Sequence, residues 1–445
     1  MLLLSGLWQS QHFLPDNRSR GRTHVAYCSY FIMRKGGLIM LKKWNSLSLV
    51  VRICIGLVIG AVLGLTLPGM TWIGVLGRLF VGALKAIAPL LVFVLVSSSL
   101  ANARGGGMAK FRTVIFLYLF STLCAAIVAV LVNFIHPVTI TLAGLDAAEG
   151  YTAPGSMSEI VLNLLMNVIA NPVDALVNAN YIGILFWAVV FGIALKAARP
   201  GIKEDMEDLA EGTSKVVRWV ISCAPFGILG LVFDAVSTSG LEIFTTYGEL
   251  VLVLVITMLI VALVVNPLIV GVTLRHNPYP LIFKCIRQSG VTAFFTRSSA
   301  ANIPVNMELC KELGLDEDMY SVSIPLGSTI NMDGAAAVIT TFALTAANSA
   351  GAEVTLPMAI LLSVVSTFSA CGTSGVAGGS LLLVPLACSL FGISNDIAMQ
   401  IVGVGFIVSV IQDSMETALN SSGDVIFTAT AEFSEWKKEG KELPI

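Results

Sequence analysis

The sequence predicts an all-α integral membrane protein with eight transmembrane helices and two re-entrant helical hairpins. Three observations carry that prediction. The first is composition. Of 445 residues, 56% are hydrophobic and only 12% charged, about half the charge of an ordinary soluble domain, and the mean hydropathy is +0.86. The second is a series of apolar runs long enough to cross a bilayer. The third is a pair of apolar segments broken at their centres by Gly, Ser and Pro. So few charges do not cover the surface of a soluble chain of this length, which excludes most soluble enzymes, nucleic-acid binders and disordered scaffolds. Lys and Arg total 26 and Asp and Glu 28, a net charge of -2, so no basic field points to nucleic acid.

The elements follow in order. Residues 1–40 hold Pro15, Asp16, Arg18, Arg20 and Arg22 without helical periodicity. Their short apolar start lacks the basic region of a signal peptide. The expectation is a disordered cytoplasmic tail, or an extension upstream of a true start at Met33 or Met40. A crossing helix needs about 20 apolar residues. The runs that meet this are 47–67, 73–100, 112–135, 180–198, 216–236, 249–273, 320–348 and 395–430, with a shorter amphipathic piece at 157–170. The segments 281–305 and 355–390 are the interrupted ones. This divides the chain into helices 1 to 6 over 41–273, a region of hairpin, helix, hairpin and helix over 274–431, and a cytoplasmic tail over 432–445.

The few charges are unevenly placed. Residues 136–157 and 234–249 contain acidic residues but no Lys or Arg, and 68–71 and 350–357 also lack basic residues. The alternate connections carry Lys42 and Lys43, Arg104 and Lys110, Lys196 and Lys203, Arg275 and Arg287, then Lys437 and Lys438. The positive-inside rule then places both termini in the cytoplasm. Eight cysteines form no CxxC pair and read as free thiols packed like small hydrophobes. No HExxH, phosphate-binding loop or dinucleotide fingerprint is present, and no His lies in the C-terminal third. An enzyme is not expected.

From Tyr320 to Trp436 there is no Lys or Arg, yet Asp333, Asp413, Glu416 and Asp424 sit there among apolar residues. A carboxylate within a bilayer is costly and finds a partner. With the nearest cation, Arg297, outside the stretch, the expected partners are cations from solution. Asp413, Glu416, Thr417, Asn420 and Asp424 share one helix face, opposite Val408, Ile411, Met415, Leu419 and Val425. Asn331 and Asp333 are two residues apart, about 200° on a regular helix. They meet one ligand only if the backbone unwinds, which Gly327 and Gly334 permit. Unwound carbonyls with Asn and Asp oxygens make a hard-oxygen site suited to Na⁺. The tips Thr296-Arg297-Ser298-Ser299-Ala300-Ala301-Asn302-Ile303-Pro304 and Cys371–Ser380 are rich in small residues, as a chain reversal at membrane depth requires. Hairpin and Asn/Asp helix thus occur twice, a repeat that points to a transporter site.

At these residues the chain resembles the dicarboxylate/amino-acid:cation symporters, the glutamate-transporter-like carriers. The match lies in Thr296–Pro304, in Pro325–Gly334, in the second tip and in the Asp413–Asp424 stripe, and covers residues 41–431. It is closest to the family's bacterial serine/threonine:sodium branch, which carries the same DSxETALNSS run. The resemblance implies sodium-driven import of L-serine and L-threonine across the bacterial cytoplasmic (inner) membrane, by a homotrimer with an elevator motion. It makes 274–431 the core transport region, with helices 3 and 6 packing on it and the rest of 41–273 a scaffold. Its implied partners are the amino acid, sodium and membrane lipid, with no nucleic acid. Carried over by motif, Asp413 holds the substrate ammonium and Asn420 part of its carboxylate. Arg297, Ser298, Ser299, Val376, Glu416 and Thr417 line the rest. Sodium is expected at Gly327, Asn331, Asn420 and Asp424, at Thr329, Ala370, Cys371 and Thr373, and at Tyr118, Ser121, Thr122 and Asp333.

One departure bears on substrate choice. Members that carry acidic substrates have an Arg where this chain has Glu416, and a bidentate Arg grips a side-chain carboxylate. Glu416 reverses that charge and repels aspartate or glutamate. A hydroxyl donates to it instead. Ala335 stands where the family often has a hydroxyl. Glu416 and Asp413 are one turn apart and do not both ionise cheaply. The expectation is that Arg297 pairs with Glu416 in the loaded state, or that Glu416 carries a proton. The competing readings are a proton-coupled symporter of small neutral or dicarboxylic amino acids, a channel, which needs a continuous pore, and a membrane enzyme.

Overall fold

The computed structural model describes residues 46–102, 109–141, 168–373 and 378–444, with Trp44 and Met166. The extension 1–40 and most of the 157–170 piece lie outside the described residues. Among those described, every regular element is helical.

The first helices are α1 (Leu49–Thr66), α2 (Gly74–Asn102) and α3 (Ala109–Ile135). A short α4 (Pro172–Val177) starts on Asn171, whose side chain accepts from the amides of Val173 and Asp174; Pro172 at its first position has no donor to lose. Next come α5 (Tyr181–Leu195), α6 (Pro200–Ser222) and α7 (Ala224–Ser239). The sequence predicts one span over 216–236, but the structure breaks it at Cys223, where α6 and α7 meet at 51°. Pro225 explains the break, because it disfavours helical backbone before it and donates no hydrogen bond. α8 (Ile243–Ile260), a π-helical turn at Val261–Val265 and α9 (Asn266–Leu274) form one long crossing.

The first interrupted segment is α10 (Tyr279–Cys285), a π-helical turn at Ile286–Gly290 and α11 (Val291–Thr296), followed by α12 (Ser299–Glu312). The chain turns between α11 and α12 on left-handed Arg297 (φ 53°) and extended Ser298, whose hydroxyl accepts from the Ala301 amide. The predicted unwinding at Asn331 is present. α13 (Glu317–Ile330) ends there, Asn331 and Met332 are non-helical, and α14 (Asp333–Ser349) resumes. α15 (Leu356–Ala370), a 3-10 turn at Ser380–Leu383 and α16 (Val384–Ser389) make the second interrupted segment. α17 (Asn395–Lys438) closes the chain.

Five of the described helices are long and apolar enough to cross a membrane, or six if the bent pair is one span, where eight are predicted. The difference lies partly in α1 and α5. At 1.5 Å per residue they span about 27 and 22 Å, short of the ~30 Å hydrocarbon core.

α5, α6 and α7 pack on α2, whereas α3, α9, α13, α14 and both interrupted segments pack around α17. The broken helix is the most enclosed crossing, with 94% of its apolar window buried, against 33% for Gly240–Leu274. On α17, Ile411 is exposed and Val408 and Met415 are half-buried, but Leu419 and Val425 are buried. The predicted apolar outer face therefore ends at Met415, and beyond it protein surrounds the helix.

Lipid removes the hydrophobic drive between helices, so close backbone packing has to substitute for it. Gly56 and Gly60 of α1 lie against the Pro225 and Leu229 carbonyls of α7. A Cβ at Gly60 would sit 2.5 Å from the Leu229 oxygen, whereas one at Gly82 meets nothing within 4 Å. Gly60→Ala is expected to destabilise the protein by about 1–3 kcal/mol, read as a lower melting temperature in detergent, while Gly82→Ala leaves it unchanged or raises it.

Candidate functional site

The site is built on α17, whose Asp413, Glu416, Thr417, Asn420 and Asp424 are all buried. Asp413 is held from both interrupted segments. Arg297 Nε donates to its Oδ2 at 2.6 Å, and the Gly378 amide donates to its Oδ1 at 3.1 Å. Arg297 Nη2 also donates to the Ser409 carbonyl at 3.3 Å. The left-handed backbone of Arg297, uncommon for a residue with a Cβ, ends α11 at this point. Arg297 therefore pairs with Asp413, whereas its expected partner in the loaded state is Glu416. This pair corrects the expectation that these carboxylates depend on cations from solution alone. Glu416 accepts from Ser380 Oγ at 2.7 Å and from Gln412 Nε2. Gln412 is one turn before it on α17, which the sequence spacing offered and the polar stripe left out.

Arg297, Ser299, Asp413, Glu416, Thr417 and Asn420 line a narrow cleft together with Met332 and Thr373. Of the other expected substrate residues, Ser298 caps α12, and Val376 lies outside the described residues. The Thr417 hydroxyl donates to the Asp413 carbonyl at 2.7 Å. Met332, which the sequence reading passed over, enters because it occupies the unwound break, and its Sδ accepts from Asn420 Nδ2 at 3.4 Å. Asn420 Oδ1 accepts from the Gly334 amide at 2.7 Å.

The first expected sodium group converges. Asn331 Nδ2 donates to the Asn420 carbonyl at 3.0 Å and to Asp424 Oδ1 at 3.1 Å. Gly327 faces them so closely that a Cβ there would be 2.8 Å from Asp424 Oδ1. The group around Asp333 also converges. Its Oδ1 lies 2.8 Å from Ser121 Oγ and 3.1 Å from Thr122 Oγ1. Asn266, absent from the sequence reading, donates to its Oδ2 at 3.3 Å. Tyr118 divides between the two groups. Its carbonyl lies 2.8 Å from Thr122 Oγ1, while its hydroxyl lies 3.1 Å from the Asp424 carbonyl. In the remaining group, Thr373 Oγ1 donates to the Ala370 carbonyl at 2.8 Å and Cys371 Sγ lies 3.6 Å from the Ile330 carbonyl. The second segment thus reaches the break at Ile330, beside Thr329, whose own hydroxyl turns to Leu326. These are oxygen donors suited to a hard monovalent cation. Among the described residues no cluster of three His, Cys, Asp or Glu side chains forms a metal centre, and the seven cysteines are free, with Cys54 and Cys223 exposed.

A neutral network adjoins the site. Asn302 Nδ2 donates to Ser421 Oγ at 2.8 Å and to the Ser289 carbonyl at 3.2 Å. Asn306 Nδ2 donates to the Ser421 carbonyl at 3.1 Å. Two Asn one turn apart in an apolar segment were the available signal. Glu432, a further carboxylate of the Lys/Arg-free stretch, accepts the Asp316 amide at 2.9 Å, at the N-terminus of α13. That position favours negative charge.

The chain is 59% identical over 402 residues to the serine/threonine transporter SstT of Bifidobacterium adolescentis, covering 90% of this chain and 93% of that one. It is 58% identical over 398 residues to the protein of the same name from Streptococcus thermophilus, covering 89% and 99%. The Streptococcus agalactiae protein of that name is 57% identical over 399 residues, covering 90% and 99%. These relatives are named as transporters, not enzymes. The sequence profile of the sodium:dicarboxylate symporter family matches residues 49–433, so the chain belongs to that family.

Proposed function

We propose that this chain imports L-serine and L-threonine across the bacterial cytoplasmic membrane, coupled to sodium. One observation carries the substrate choice. Glu416 lines the cleft beside Asp413, and its charge opposes a side-chain carboxylate. A hydroxyl donates to Glu416 without that repulsion. The names of the relatives support the same reading.

In this reading Asp413 takes the substrate ammonium in competition with Arg297, and Asn420 and the backbone at Ser299 take its carboxylate. The oxygens around Asp424, Asp333 and the Ala370–Thr373 turn take the co-transported sodium. Residues 274–431 form the moving transport core with helices 3 and 6, the rest of 41–273 forms the scaffold of a homotrimer, and the motion is of the elevator type. The distribution of Lys and Arg supports cytoplasmic termini.

Replacing external Na⁺ with choline is expected to abolish uptake of radiolabelled L-serine into proteoliposomes. Uptake that survives and instead follows a pH gradient would transfer the coupling to protons. Asp413→Asn is expected to abolish uptake of every amino acid tested, measured in the same vesicles. Glu416→Gln is expected to keep sodium dependence and to raise the KM for serine about tenfold, the order of one hydrogen bond to a charged group.

A further inference from the structure

Both hydrogen bonds to the Glu416 carboxylate, from Ser380 Oγ and from Gln412 Nε2, fall on Oε2. Two donors fill the two lone pairs of that oxygen. Among the described residues no hydrogen bond falls on Oε1, and Glu416 lines the cleft beside Asp413 and Thr417. Ser380 and Gln412 are themselves buried, and they come from separate elements. Ser380 opens the 3-10 turn that follows the tip of the second interrupted segment, and Gln412 is on α17. Gln412 Oε1 is buried without a partner. An unpaired buried acceptor destabilises a fold, so stability does not account for Gln412, whereas its donation to Glu416 does.

We propose that Ser380 and Gln412 are positioning residues for substrate selection. By filling Oε2 they keep Oε1 turned to the cleft as the acceptor for the hydroxyl of serine or threonine. This rests on the reading of the chain as a carrier of those amino acids.

The test uses the full chain in proteoliposomes with sodium outside, and L-alanine and L-serine competing against radiolabelled L-threonine. In Ser380→Ala and in Gln412→Leu, the ratio of the alanine to the serine inhibition constant is expected to fall about tenfold, the order of one hydrogen bond to a charged group. An unchanged ratio overturns the proposal, and so does an equal weakening of both inhibitors, which marks a structural role. If Ser380→Ala yields no folded carrier, the Gln412 variant decides. A wild-type chain that carries no threonine defeats the transport reading itself, and is distinguishable because it precedes any comparison of ratios.

Discussion

A carboxylate within a bilayer has to be partnered, and this constraint organises the C-terminal half of the chain. Asp413, Glu416 and Asp424 lie on one helix and Asp333 faces it from the broken one. Each is buried and each is reached by donors from another part of the chain. A regular helix satisfies its own amides and offers none to a neighbour. The donors therefore come from side chains and from places where helices stop: Arg297 at a chain reversal, Gly378 beyond a tip, Asn331 at a break. Interrupted backbone is tolerated at membrane depth where it is buried in protein, and here the interruptions supply what the carboxylates need.

The Arg297–Asp413 pair shows how closely this balance is set. Removing one partner of a buried ion pair typically costs about 3–5 kcal/mol, because it strands the other charge. A ligand ammonium at Asp413 replaces one cation by another and strands only the guanidinium, which keeps the Ser409 carbonyl within 3.3 Å. The carboxylates of Asp424 and Asp333 are bound to neutral amides and hydroxyls, and in the proposed reading sodium takes the place of those donors.

Much of this was legible in the sequence. The absence of Lys and Arg from Tyr320 to Trp436, the spacing of the polar stripe and the Asn331–Gly334 break all follow from residue type and helical period. The break was legible because Asn331 and Asp333 have no common direction on an intact helix. The Arg297–Asp413 pair was not legible, because spacing along α17 does not say which side of the helix a distant tip approaches. Ser380, Gln412 and Asn266 were missed for a similar reason. A neutral polar residue in an apolar run gains meaning only from its neighbour in space. The helix lengths were misjudged where hydropathy alone set the limits. Pro225 divides one span, and α1 and α5 are shorter than their apolar runs.

The neutral network at Ser289, Asn302, Asn306 and Ser421 has a consequence for how the two interrupted segments are held. The first is joined to α17 by amide and hydroxyl bonds that carry no net charge, in addition to the Arg297 pair. The second meets α17 through Gly378 on Asp413 and Ser380 on Glu416, both of them bonds to carboxylates. A bond to a carboxylate changes strength when a cation or proton arrives beside it, and an amide bond to a hydroxyl changes little. The first segment therefore keeps through Ser421 a part of its attachment that is indifferent to ions, beside its bonds to Asp413 and Asp424, whereas the second is tethered by a grip that local charge adjusts.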